Sequence, residues 1–182
     1  MLGLVFTEFI EMVEDRFSPE TADAMLQAVP TEHDGSYTAV GYYAHEELVA
    51  LVIRLSQLTR VAVPDLVRAF GCHLLGRFTR IYPAMFARHA GFLDFVAAID
   101  SEIHVEVRKL YPQAVLPRFE VLQRDERGMQ LLYRSPRRME SLALGLLEGL
   151  AAHYRQPCRI EARAWSDGAE EGTLFVLDLR PE

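Results

Sequence analysis

The sequence predicts a single α+β protein: a helical amino-terminal lobe, then a lobe with a four-stranded antiparallel sheet and helices. Three observations predict it. Apolar residues recur at helical spacing as far as Tyr111. Beyond Pro112 and Pro117 the pattern turns to short runs bounded by turn residues. At 182 residues with 50% hydrophobic content, the chain can bury one core in two lobes but not two independent domains. The helical lobe is expected over about residues 1–60 and the second over about 61–182, with a stiff hinge at Pro112–Pro117.

Each element has its own signal. Leu2, Val5, Phe6, Phe9, Ile10, Val13 and Phe17 form an apolar helical stripe with glutamates, Glu8 among them, on the other side. Ser18 reads as an N-cap and Pro19 as the first residue of a second helix reaching about Gln27. The polar stretch Pro30–Tyr37 reads as a loop. Helix returns over Glu46–Thr59, with His45 at its start, and again from Val63-Pro64-Asp65 through Phe70 and Leu74. Gly71 and Gly76 lie inside it as sites of close packing. Pro83 breaks the following segment, and a long helix runs from about Phe92 to Tyr111, stopped by Pro112. Arg118–Gln123 and Met129–Tyr133 flank a turn at Asp125–Gly128 as a hairpin. Arg138–Tyr154 is helical, with Gly145 and Gly149 in a smooth strip and leucines facing the sheet. Cys158–Trp165 and Thr173–Leu179 close the chain around Ser166-Asp167-Gly168.

Composition removes several functions. A net charge of −7 argues against nucleic-acid binding and, more weakly, against docking on an anionic membrane. No apolar run is long enough to span a bilayer, and the acidic amino terminus is no signal peptide. Two distant cysteines, Cys72 and Cys158, exclude a disulfide framework and point to a reducing, cytoplasmic setting. There is no Gly-rich phosphate loop, nucleophile elbow or His-Glu-x-x-His, so no enzyme chemistry is expected. His33, His45, His89 and His153 show no ligand spacing, and the cysteines lack that of a zinc site.

Two segments carry candidate chemistry. His104 lies on a helix face made by Leu93, Ala97, Asp100, Val107 and Tyr111. It is either a structural histidine bonded to Asp100 one turn earlier or the axial ligand of a haem iron. Tyr133-Arg134-Ser135-Pro136-Arg137 follows 29 residues later at a strand end before a helix. Tyr133 and Ser135 supply hydroxyls and Arg137 a planar fork, which suits paired carboxylates such as haem propionates. Alone, that segment is equally a turn with an arginine capping its own backbone.

His104, Pro117 thirteen residues on, and the Tyr133-x-Ser135-x-Arg137 pattern together resemble the H-NOX (haem-nitric oxide/oxygen binding) family. These are bacterial gas sensors related to the haem domain of soluble guanylate cyclase. The resemblance extends over the chain through Met1-x-Gly3, Ala69-Phe70-Gly71, Leu110-Tyr111-Pro112 and the closing hairpin. It implies a haem between the lobes, with His104 as proximal iron ligand and Tyr133, Ser135 and Arg137 on the propionates. It further implies that Pro117 presses on the porphyrin and that Val5, Phe9, Leu74, Phe78, Leu142 and Leu146 line the pocket. No Cys-x-x-Cys-His occurs, so the haem would be haem b, held non-covalently. Some relatives carry a Cys/His zinc cluster near the carboxyl end; with Cys158 alone there, no structural metal is expected.

Oxygen-binding members place a tyrosine five residues beyond the motif arginine, where this chain has Leu142. Their supporting polar positions correspond to Phe9 and Leu74. Bound dioxygen needs a hydrogen-bond donor and nitric oxide does not, so this set implies selectivity for NO, with CO as a surrogate. His73, beside Leu74, would undo that if it turned inward. The resemblance implies a sensor in which NO weakens the Fe–His104 bond and shifts lobe orientation. A separate partner would read the shift: a histidine kinase, or a diguanylate cyclase or phosphodiesterase of cyclic-di-GMP signalling. The rival expectations are an oxygen-binding haem sensor and a non-haem small-ligand regulatory module of the same architecture. A haem peroxidase is disfavoured, because the apolar wall provides no acid–base group.

Overall fold

Packing on bare backbone starts the molecule. The computed structural model describes residues 1–31 and 35–179, so His33 and part of the loop read over Pro30–Tyr37 lie outside the described residues. Helix α1 (Gly3–Arg16) begins where a Cβ on Gly3 would stand 1.9 Å from the Thr38 carbonyl oxygen. Only glycine lets that loop cross so closely. Phe6, Phe9, Met12 and Val13 form the buried stripe of α1. Helix α2 (Pro19–Ala28) is capped by Ser18, whose Oγ accepts the Thr21 N–H at 3.2 Å. Helix α3 (His45–Thr59) buries Leu48, Leu51, Val52 and Leu55, and α4 (Val63–Ile81) brings Leu66, Phe70 and Leu74 to the same core.

Pro83 ends α4 and opens a short helix, α5 (Pro83–Ala87). The long helix expected over Phe92–Tyr111 is not uniform. Helix α6 (Phe92–Ala98) passes into a π-helical turn over Ile99–Ile103 before α7 (His104–Leu110). The His104 N–H reaches back five residues to the Ile99 carbonyl, which widens the helix by one residue.

The second core is built on a sheet of order β1-β2-β4-β3, antiparallel throughout. Its strands are β1 (Arg118–Arg124), β2 (Gly128–Arg134), β3 (Cys158–Ser166) and β4 (Glu171–Leu179). The Asp125 carboxylate accepts the Arg127 and Gly128 N–H groups at 2.8 and 2.9 Å, closing the first hairpin. Helix α8 (Glu140–His153) lays Leu147 and Leu150 on the inner face with Leu131, Phe175 and Leu177. It starts at Glu140 rather than Arg138, because Arg138 takes the left-handed conformation (φ 48°) and turns the chain.

Helices α4 and α8 touch backbone to backbone between the two cores. A Cβ on Gly145 would lie 2.0 Å from the Arg68 carbonyl oxygen, and one on Gly71 would lie 2.5 Å from that of Leu142. Gly149 packs on the Leu75 side chain, but Gly76 has nothing within 4 Å, so the close packing read there is absent. Leu142 and Leu146 also depart from the sheet-facing reading: both pack on the helical core, and Leu146 with Phe78 touches both cores. Among the described residues no helix is long and apolar enough to cross a membrane.

Candidate functional site

His104 sits where the π-helical turn hands over to α7 and is 8% exposed. Its Nδ1 lies 2.9 Å from Asp100 Oδ1, and the same oxygen accepts the Phe119 N–H at 3.3 Å. Burial lowers the imidazole pKa, and the Asp100 hydrogen bond works against that shift. The neutral ring therefore donates from Nδ1 to the carboxylate. Nε2 keeps its lone pair and has no hydrogen-bond partner among the described residues. A carboxylate orienting one nitrogen while the other stays free is the usual support for a metal-binding histidine. The contact with Asp100 alone fits the structural reading equally well; the free Nε2 in a buried setting favours ligation.

The Tyr133 segment meets His104 through a residue that the sequence reading passed over. The Phe119 ring stands 5.8 Å from His104 and 5.2 Å from Tyr133, centroid to centroid. Phe119 is signalled only by its inward position on β1, two residues past Pro117. Tyr133 is 3% exposed; burial raises its phenol pKa, partly offset by hydrogen bonding to Ser135 and the Met139 backbone. Ser135 Oγ accepts the Arg137 N–H at 3.2 Å, which folds the motif into a compact turn. Arg137 donates from Nη1 to the Val115 carbonyl at 3.2 Å, fastening the turn to the segment that holds half-buried Pro117. The amino-terminal amine, which donates to the Tyr43 carbonyl, also feels this guanidinium. Burial first, and Arg137 second, lower its pKa. Tyr133, Ser135 and Arg137 thus place two hydroxyls and a guanidinium in one turn, suited to a dianion.

The six apolar residues expected to line the pocket belong to the helical core. Phe9 and Leu74 are buried, and Val5, Phe78, Leu142 and Leu146 stay half-buried where the helical core ends. None of these six side chains carries an N–H or O–H group. His73 does not join Leu74 in the core; its Nε2 turns to Glu8 Oε2 at 3.5 Å. Glu8 corrects the reading that put it on the polar side of α1: it is 2% exposed and accepts Arg77 Nε at 2.9 Å. It shares its face with Met12 one turn on, a spacing that could have signalled it.

The donor set fits a haem: one neutral imidazole with a free nitrogen, a cationic hydroxyl-bearing turn for propionates, and an apolar wall. Asp100→Ala removes the group that fixes the imidazole ring. Haem affinity is expected to fall roughly 10- to 100-fold, read by competition for haem with apomyoglobin.

Comparison with known proteins identifies the family. The model of the family described as "Haem-NO-binding" matches residues 2–162. Soluble guanylate cyclase 89Db of Drosophila melanogaster is 25% identical over 157 residues, 85% of this chain. The chain spans about a quarter of that relative's length, 23%. Among solved structures, the Fe(II) unliganded H-NOX protein of K. algicida is similar at TM-score 0.93 and 31% identity, over 100% of this chain and 98% of that one. The H-NOX of Shewanella woodyi, bound to IWP-051 in the Fe(II)CO state, is 38% identical at TM-score 0.85, covering 100% and 95%. An H-NOX protein of S. oneidensis in the Fe(II)NO state is 26% identical at TM-score 0.90, with both chains covered in full.

Proposed function

The chain belongs to the H-NOX family of haem-binding gas sensors, and from that premise we propose that it senses nitric oxide through His104. The observation that carries the reading is the buried imidazole, tied by Nδ1 to Asp100 and separated from Tyr133 by the Phe119 ring. Haem b held there by His104 would supply ferrous iron able to take NO, or CO as surrogate, and NO binding would loosen the hold of His104.

The protein's own residues do the rest. His104 anchors the metal, and Asp100 fixes its ring and proton. Tyr133, Ser135 and Arg137 hold the propionates, and Pro117 bears on the porphyrin face. Phe9, Leu74 and Leu142 offer a bound gas no hydrogen-bond donor, which disfavours dioxygen and leaves nitric oxide unaffected. The S. oneidensis relative carrying NO supports that choice. When the hold on His104 slackens, α7 is free to move against β1, to which Asp100 links it through the Phe119 N–H. The helical lobe, about residues 1–60, then reorients against residues 61–182. A partner distinguishes the two arrangements: a histidine kinase, or a diguanylate cyclase or phosphodiesterase. Coupling requires that NO bind the two states unequally. The protein itself turns nothing over and acts in the cytoplasm, the compartment to which the unpaired Cys72 and Cys158 point.

Absorption spectra of the reduced protein test this. We expect a strong Soret band that shifts with NO and with CO and does not change to a stable oxygenated spectrum in air. Leu142→Tyr, which adds one donor to the wall, is expected to slow oxygen loss and leave NO binding intact. A stable oxygen complex in the parent protein would refute the selectivity, and a protein with no Soret band after haem supply would refute the reading altogether.

A further inference from the structure

We propose that the buried carboxylate of Glu8, paired with Arg77 and faced by His73, forms an ionic latch between α1 and α4 that sets the spacing of the apolar wall and so positions it around a bound gas. The proposal rests on the reading above for what the wall encloses. Glu8 and His104 are the buried polar residues among those described, and the haem reading has no use for Glu8. Its carboxylate accepts Arg77 Nε at 2.9 Å through Oε1 and faces His73 Nε2 at 3.5 Å through Oε2. Neither Oε2 nor His73 Nε2 finds a hydrogen bond, although both atoms are shielded from water.

The latch and the wall share the same two helices. Glu8 directly precedes Phe9 and follows Val5 by three residues; His73 precedes Leu74, and Arg77 precedes Phe78. Neighbouring positions on a helix point about 100° apart, so the ion pair flanks Phe9, Leu74 and Phe78, while Val5, three residues before Glu8, lies on the same face as the carboxylate. A carboxylate withdrawn from water is held by its cation, and removing Arg77 leaves the Glu8 charge buried without compensation. In the resting arrangement the separation of α1 from α4 is therefore set by charge as well as by apolar packing. Apolar contacts alone tolerate sliding; a paired carboxylate and guanidinium do not. Because α4 packs backbone to backbone on α8 while α1 belongs to the amino-terminal helices, the latch also ties the two cores together.

The test is a double-mutant cycle of Glu8→Gln and Arg77→Met on the haem-loaded protein. Carbon monoxide dissociation and the distance between spin labels at exposed Glu11 and Arg80 are measured for each member. Each single change is expected to raise the dissociation rate about three- to tenfold and broaden the distance distribution, with the double adding little more. A pair that serves stability alone would lower the melting temperature and leave both readouts of the folded protein unchanged; that result overturns the proposal. Should Glu8→Gln fail to fold, Arg77→Met decides alone, since its side chain is 38% exposed and its loss is tolerated more easily. If the parent protein binds no haem, the functional reading fails. The label distances still decide whether the latch exists.

Discussion

His104→Gly is expected to abolish stable haem retention: the purified variant should lack the Soret band and regain it when free imidazole is supplied. Glycine removes the proposed nitrogen ligand and leaves the Tyr133, Ser135 and Arg137 turn intact, so only the proposed propionate contacts would remain. Such contacts would pair charged groups with partial solvent access, and pairs of that kind contribute little by themselves. The metal–nitrogen bond is the term they cannot replace. Free imidazole can occupy the space left by the side chain and present the same lone pair, with Asp100 still in place to accept its other N–H. A His104→Gly protein that kept haem at parental affinity without imidazole would place the iron ligand elsewhere. The fold should survive, because His104 is bonded only to its own helix and bordered by Phe119.

Gly145→Ala should be strongly destabilising. Its Cβ would meet the Arg68 carbonyl oxygen at 2.0 Å and Gly71 Cα at 3.0 Å, both backbone atoms that no rotamer change can move. Relief requires separating α4 from α8, which costs roughly 1–3 kcal/mol or more for overpacking of this kind. The midpoint of urea unfolding should fall with little change in slope. Gly76→Ala is the internal control: nothing lies within 4 Å of its Cβ, and helix propensity alone should stabilise by about 0.5–1 kcal/mol. Equal effects at the two glycines would mean that the α4–α8 contact is looser than described. The same separation would withdraw Leu142 and Leu146 from the helical core, so the Gly145 variant should also change gas affinity.

Most of the architecture was legible in the sequence because its signals are local. Ser18 before Pro19, the break at Pro83, and the two hairpin turns each rest on the chemistry of a few adjacent residues. His104 stood out as a lone imidazole on a face shared with Leu93 and Ala97. What escaped was decided by partners distant in sequence. Glu8 looks like any solvated glutamate until Arg77, 69 residues away, is brought against it. Phe119 reads as ordinary strand filler, and only the approach of α7 to β1 sets it beside His104. Arg138 carries no sign of a left-handed backbone, since arginine rarely adopts one; the turn that closes on Ser135 imposes it. Gly76 shows the converse error, a residue type that suggests close approach where the helix faces open space.

The wide turn over Ile99–Ile103 gives the protein slack at the point where slack is useful. A coil that carries one spare residue can pass it along as a change of register, advancing the segment beyond by about 1.5 Å without unravelling. The imidazole therefore hangs from a joint that can yield while the coils on either side stay wound. Amide protons from Ile99 to His104 should exchange with deuterated solvent sooner than those of Phe92–Ala98.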